Sequence, residues 1–147
     1  MEKLPVTALI KDYIKLSPWK PWNQRDSIRN SDEYPGVYLL ARFPDGPPRK
    51  VNMLSEDIVY VGETVDQTLC ARWYQFNRSA FQNKFGHSGG KTYRSIIGGS
   101  SRSLFVSAFP VTYDSEIFNK AFIRYVERLL LYNFARQHGD FPKCNRK

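Results

Sequence analysis

Cysteine is scarce in this chain. Cys70 and Cys144 are the only two in 147 residues. Neither belongs to a Cys-x-x-Cys or Cys/His ligand spacing, which argues against a zinc site. Two thiols cannot frame a disulfide scaffold, so a reducing cytoplasm is the expected location. No apolar run approaches the roughly twenty residues that a membrane helix needs. The N-terminus lacks the layout of a secretory signal, so the acceptor-like Asn77-Arg78-Ser79 carries no weight. Internal repeats and low-complexity segments are also missing. Acidic residues are in deficit, with 14 Asp plus Glu against 22 Lys plus Arg, a net charge of +8 and a pI of about 9.6. An ordinary basic protein shows the same balance. Read functionally, it favours an anionic partner, nucleic acid ahead of a membrane surface. Disorder is excluded by 41% hydrophobic and 15% aromatic content, and the length suits one self-sufficient core.

The periodicities predict an α+β fold. Val6, Leu9, Ile10, Tyr13 and Ile14 fall at helical spacing, so residues 5–15 read as an amphipathic helix. The Pro- and Trp-containing stretch to residue 33 reads as an irregular arm, pinned to the core by Trp19 and Trp22. Residues 36–43, "GVYLLARF", read as a strand. Val37, Leu39, Ala41 and Phe43 share one face of it, and Tyr38, Leu40 and Arg42 the other. Residues 58–61 make a second strand, antiparallel to the first across a 44–57 loop. Leu69, Trp73 and Phe76 place a helix shortly after Asp66. Residues 77–102 read as a flexible Gly/Ser-rich basic loop. Residues 103–111 alternate as a third strand. Asp114 is a candidate N-cap for a long helix with Glu116 in its first turn, ended by Gly139 and Pro142. The expected architecture is a small three-stranded antiparallel sheet flanked by helices over 34–147, preceded by an N-terminal helical arm over 1–33.

Three stretches could carry chemistry. Glu127 projects from the long helix beside Ile123, Leu130 and Leu131, where a bare carboxylate is costly. A salt bridge to Arg124 would balance it; otherwise an arginine or a divalent metal must. Arg72 lies mid-helix among Leu69, Trp73 and Phe76, as an ordinary snorkelling arginine would. "FGHSGGKTYR" suggests a phosphate loop, but a P-loop needs glycine where Phe85 stands and also a preceding strand. His87, Lys91 and Arg94 on this stretch, with Lys84, could instead contact nucleic-acid phosphates. From Asp66 to Arg102 there are six basic residues and one acidic residue.

Together these residues resemble the GIY-YIG nuclease family. Gly36-Val37-Tyr38 stands at GIY and Tyr60-Val61-Gly62 at YIG, followed by Glu63-Thr64. Arg72 matches the helix arginine twelve residues after the second tyrosine. Glu127 matches the metal-binding glutamate, and "PKCN" resembles the closing Pro-x-x-Asn with Asn145. The likeness covers residues 34–147. The long basic insertion is similar to that of the family's restriction-endonuclease branch. Two features depart from the pattern. Phe76 stands where many members carry an acid–base His or Tyr, with Tyr74 and His87 as nearby substitutes. Eighteen residues separate Glu127 from Asn145, more than in compact members.

The resemblance implies a metal-dependent DNA endonuclease, with Tyr38 and Tyr60 presented into one cleft. Glu127 would hold a Mg²⁺ (or Mn²⁺) ion and Arg72 the phosphate. A tyrosine would orient or deprotonate water, although at its ordinary pKa only about 0.1% is phenolate at pH 7. Tyr38, Tyr60, Arg72, Glu127, His87 and Asn145 are the candidate catalytic residues; Lys84, Lys91 and Arg94 are the candidate DNA contacts. The alternatives are a catalytically weak nucleic-acid-binding module on the same fold and an interaction domain with a basic surface. The cognate site and the oligomeric state, monomer or homodimer, stay open.

Overall fold

The computed structural model describes residues 13–113 and 115–146. The helix expected over 5–15 lies outside them, apart from its last three residues. In chain order the elements are β1 (Lys20–Pro21), a 3-10 turn (Trp22–Ser27), β2 (Gly36–Arg42), β3 (Ile58–Thr64), α1 (Leu69–Phe81), α2 (Ser88–Ile96), β4 (Leu104–Pro110) and α3 (Glu116–His138). No helix among the described residues is long and apolar enough to cross a membrane.

The sheet is antiparallel with strand order β1-β4-β2-β3. It has four strands where three were expected. The additional strand is two residues long and includes Pro21, so it gives no alternation signal. It pairs with β4 through Lys20↔Val106 and Pro21↔Phe105.

Central β2 is buried from Gly36 to Ala41, because helices cover both faces of the sheet. Val37, Leu39, Ala41 and Phe43 pack with Ile123, Val126, Leu130 and Phe134 of α3. Tyr38 and Leu40 pack with Leu69, Trp73 and Phe76 of α1 and Tyr93 of α2. The division of faces inferred from period two therefore holds. Trp19 enters the first cluster and Trp22 the second, each under 10% exposed, so the described part of the arm is built into the core.

Residues 77–102 are not one flexible loop. They contain α2, capped by the His87 side chain, which accepts from the Gly90 N–H. Gly89 and Gly90 hide this helix from a propensity argument. They are there for closeness: a Cβ at Gly90 would lie 2.8 Å from the Phe76 carbonyl oxygen on α1. The Thr68 hydroxyl caps α1 and Ser115 caps α3; Asp114 lies outside the described residues. Glu116 occupies the first turn of α3, and Gly139 ends it at φ +79°.

Gly36 lies opposite Pro110 in the β2–β4 ladder, and a Cβ there would overlap the Phe109 carbonyl. The obstacle is backbone, which cannot rotate aside. Gly36→Ala should lower stability by at least about 2 kcal/mol, roughly 6 °C in Tm. A melt within a degree of wild type would show that the sheet is looser here than described.

Candidate active site

Tyr60 and Gly62 project from β3 towards α1 and α2, while Val61 and Glu63 project towards α3. Tyr38 and Tyr60 are neighbours, with ring centroids 6.0 Å apart. A Cβ at Gly62 would stand 2.6 Å from both the Tyr38 hydroxyl and the Tyr60 ring. One at Gly89, in the first turn of α2, would stand 2.6 Å from the other side of Tyr60. Two glycines thus make the slot that holds this ring.

The two tyrosines are not equivalent. Tyr38 is fully buried. Tyr60 lines a groove of about 700 Å³ whose other walls include Ser88, Gly89 and Thr92 from α2, Glu127 and Arg128 from α3, and Asn145 from the C-terminal tail. Burial drives both hydroxyls away from ionisation. Tyr60 is pushed up to about 12 by burial, which outweighs the opposing Arg72 charge. Tyr38 is raised well above its ordinary value, first by burial and then by the neighbouring Tyr60.

His87, not Tyr74, occupies the space beside Phe76. Its ring is 5.1 Å from Phe76, edge-on, and 5.8 Å from Tyr60. Tyr74 is 58% exposed and pairs with Arg78 outside the cluster. The imidazole is depressed to about 3 by burial and the Arg72 charge, so it is neutral at pH 7. Its Nδ1 accepts from the Gly90 N–H at 3.1 Å, so the neutral ring carries its proton on Nε2. That N–H donates to the Tyr38 hydroxyl at 3.0 Å. His87 therefore caps a helix with one nitrogen and fixes Tyr38 with the other.

Arg72 donates to Gln75 Oε1 at 2.7 Å and to the Gly86 carbonyl at 3.4 Å. Gln75 in turn donates to Gln67 at 2.7 Å. Amides orient the guanidinium without neutralising it. Its charge acts on Tyr38, Tyr60, Glu63 and His87 alike.

Glu127 has a side chain 20% exposed, with its oxygen 3.4 Å from Arg128 and not bridged to Arg124. Arg128 is 82% exposed, and an ion pair to such a side chain contributes under about 1 kcal/mol. It does not offset burial: the Glu127 carboxyl is raised, first by burial and next by the charge of Glu63. Glu63 is the residue that sequence reasoning passed over. One of its carboxylate oxygens, Oε2, is buried without a hydrogen-bond partner. Leaving such an atom unsatisfied costs on the order of 1–3 kcal/mol. The second strand was expected to stop at residue 61, so Glu63 counted only as the residue after the second motif; β3 runs on to Thr64 and turns Glu63 to the face that carries Val61.

A third acidic, His or Cys group is not at hand; no cluster of three exists among the described residues. Two carboxylates that feel each other's charge, one with an orphaned buried oxygen, still fit a hard divalent cation. Mg²⁺ takes one or two protein carboxylates and completes its shell with water and phosphate oxygens.

Asn145 serves the strand edge. Its Oδ1 accepts from the Val61 N–H at 2.8 Å, and its Nδ2 donates to the Val61 carbonyl at 2.9 Å. The Cys144 N–H donates to the Val59 carbonyl at 2.8 Å. The tail thus pairs with the open side of β3, next to Tyr60. Of the basic residues, Lys91 and Arg94 line a separate shallow depression. Lys91 lies 3.9 Å over the Phe85 ring, and Arg94 is bonded to the Ala80 carbonyl. Lys84 is exposed on the α1–α2 connection.

No protein-family model, no curated protein and no solved structure matches the chain.

His87 gives the site a pH signature. Its folded pKa of about 3 lies below the ordinary 6.5, so its contribution to stability is complete above pH 6.5 and is lost as pH falls towards 3. His87→Asn keeps a capping oxygen but does not titrate. Between pH 6.5 and 3.5, the Tm of wild type should fall more steeply than that of the variant. Parallel curves would contradict the buried neutral imidazole.

Proposed function

We propose that this chain is a metal-dependent endonuclease that hydrolyses phosphodiester bonds in DNA. The observation that carries this reading is the convergence of Tyr60, Glu127 and Asn145 on one groove; Arg72 does not line it, but its charge acts on Tyr60 there.

In this reading Glu127 with Glu63 would hold a Mg²⁺ (or Mn²⁺) ion, which would supply charge neutralisation at the phosphate and at the leaving oxygen. Arg72 binds a non-bridging phosphate oxygen, its orientation set in advance by Gln75. Tyr60 holds the attacking water from the groove. With a pKa of about 12, roughly one Tyr60 in 10⁵ is phenolate at pH 7, so it positions the water by hydrogen bonding, and the water's proton passes to solvent through the open groove. Tyr38 and His87 are positioning residues: Tyr38 has no exposed surface, and both imidazole nitrogens are engaged. Asn145 keeps the strand edge closed beside Tyr60. Lys84, Lys91 and Arg94 add phosphate contacts outside the groove, and these make binding salt-dependent.

A catalytically weak DNA-binding module is the second reading. What favours it is the shortage of a general base, since both tyrosines and His87 are neutral at pH 7. Supercoiled plasmid with Mg²⁺ or with EDTA separates the two. Nicking with Mg²⁺ alone is expected, and Glu127→Gln should lower its rate by about 10³-fold or more while the variant folds and still binds DNA. Tyr60→Phe should cost more activity than Tyr38→Phe. Glu127→Gln that nicks at the wild-type rate with Mg²⁺ would remove the residue from the mechanism; DNA binding without any nicking by wild type would establish the second reading.

A further inference from the structure

The groove beside Tyr60 has a wall that phosphate chemistry does not explain. Leu131, Tyr132 and Ala135 of α3 and Phe141 of the tail line it together with Glu127 and Asn145. Tyr132 is 57% exposed and Phe141 40%. Both rings are thus available in the groove that holds the proposed reacting groups. Arg136 braces Tyr132, donating to its hydroxyl at 3.2 Å with the guanidinium 5.8 Å from the ring. Arg128 and Arg146 line the same groove and supply positive charge alongside the rings.

A stacked duplex has no free base face to lay on such a wall. Its base faces are stacked on one another, and it offers a protein its phosphates and base edges. An unpaired strand offers phosphates together with free base faces, which stack on aromatic side chains whatever their sequence. Resting on the nuclease reading of this groove, we propose that its substrate is DNA with unpaired nucleotides next to the scissile phosphate. Tyr132 and Phe141 stack the unpaired bases, and Arg128 and Arg146 hold the flanking backbone.

Fluorescence anisotropy with labelled oligonucleotides in EDTA tests this without cleavage. The probes are a blunt duplex and the same duplex with a single-stranded arm, at equal salt. Wild type should bind the armed duplex about tenfold or more tightly than the blunt one. Tyr132→Leu and Phe141→Leu should each bring that ratio towards one, and Tyr132→Trp should keep it. Both positions are exposed, so these variants should fold. Equal affinity of wild type for the two probes would overturn the proposal, as would leucine variants that weaken both probes equally; either result would leave the apolar wall for a protein partner. Absence of Mg²⁺-dependent cleavage with the affinity ratio intact would count against the nuclease reading alone.

Discussion

The open edge of β3 is the constraint on which the rest of the site depends. Successive side chains of a strand point to opposite faces. Tyr60 therefore faces α1 and α2, while Glu63 faces α3. In a central strand these two groups would be separated by the sheet itself. At an edge the elements covering the two faces meet in one groove, and Glu127 of α3 and Ser88 of α2 line it with Tyr60. An edge also leaves N–H and C=O groups without strand partners. The tail meets that need at Val59 and Val61, and so fixes Asn145 within the same groove.

Electrostatics follow from how deep the groups lie. Burial outweighs Arg72 at both tyrosines and holds them as neutral hydroxyls. At Glu63 and Glu127 it again outweighs the neighbouring arginines and raises both carboxyls. Both tyrosines are thus held as neutral hydroxyls and both carboxyls are raised, while Arg72 has no salt-bridge partner among the described residues. On the proposed reading, a divalent cation and a phosphate supply the missing charges together: the cation to the two carboxylates, the phosphate to Arg72.

Much of this was legible in the sequence. Period two divided the faces of β2 correctly, and helical spacing placed α1 and α3, because burial imposes both patterns directly. The tyrosines, Arg72, Glu127 and Asn145 were singled out through motif spacing and the apolar neighbours of Glu127; Tyr60, Glu127 and Asn145 line one groove, while Tyr38 lies buried behind Tyr60 and Arg72 outside the lining. The α2 helix was missed because Gly89 and Gly90 read as flexibility. Their purpose is close approach to Tyr60 and Phe76, which depends on residues distant in sequence. The short β1 was missed because two residues carry no period. His87 was read as part of a flexible loop; its burial shows only once α2 is folded against α1. Glu63 was passed over because the second strand was expected to stop at residue 61, while β3 runs on to Thr64. Its significance appears when α3 brings Glu127 beside it.

The central claim is that Glu63 and Glu127 share one divalent cation at this edge. Titration of Mn²⁺ into the protein, followed by loss of the free-ion electron paramagnetic resonance signal, tests it without reference to cleavage. Wild type should bind one ion, and Glu63→Gln and Glu127→Gln should each weaken that binding by about tenfold or more. A Glu63→Gln variant that binds Mn²⁺ as tightly as wild type would contradict the account.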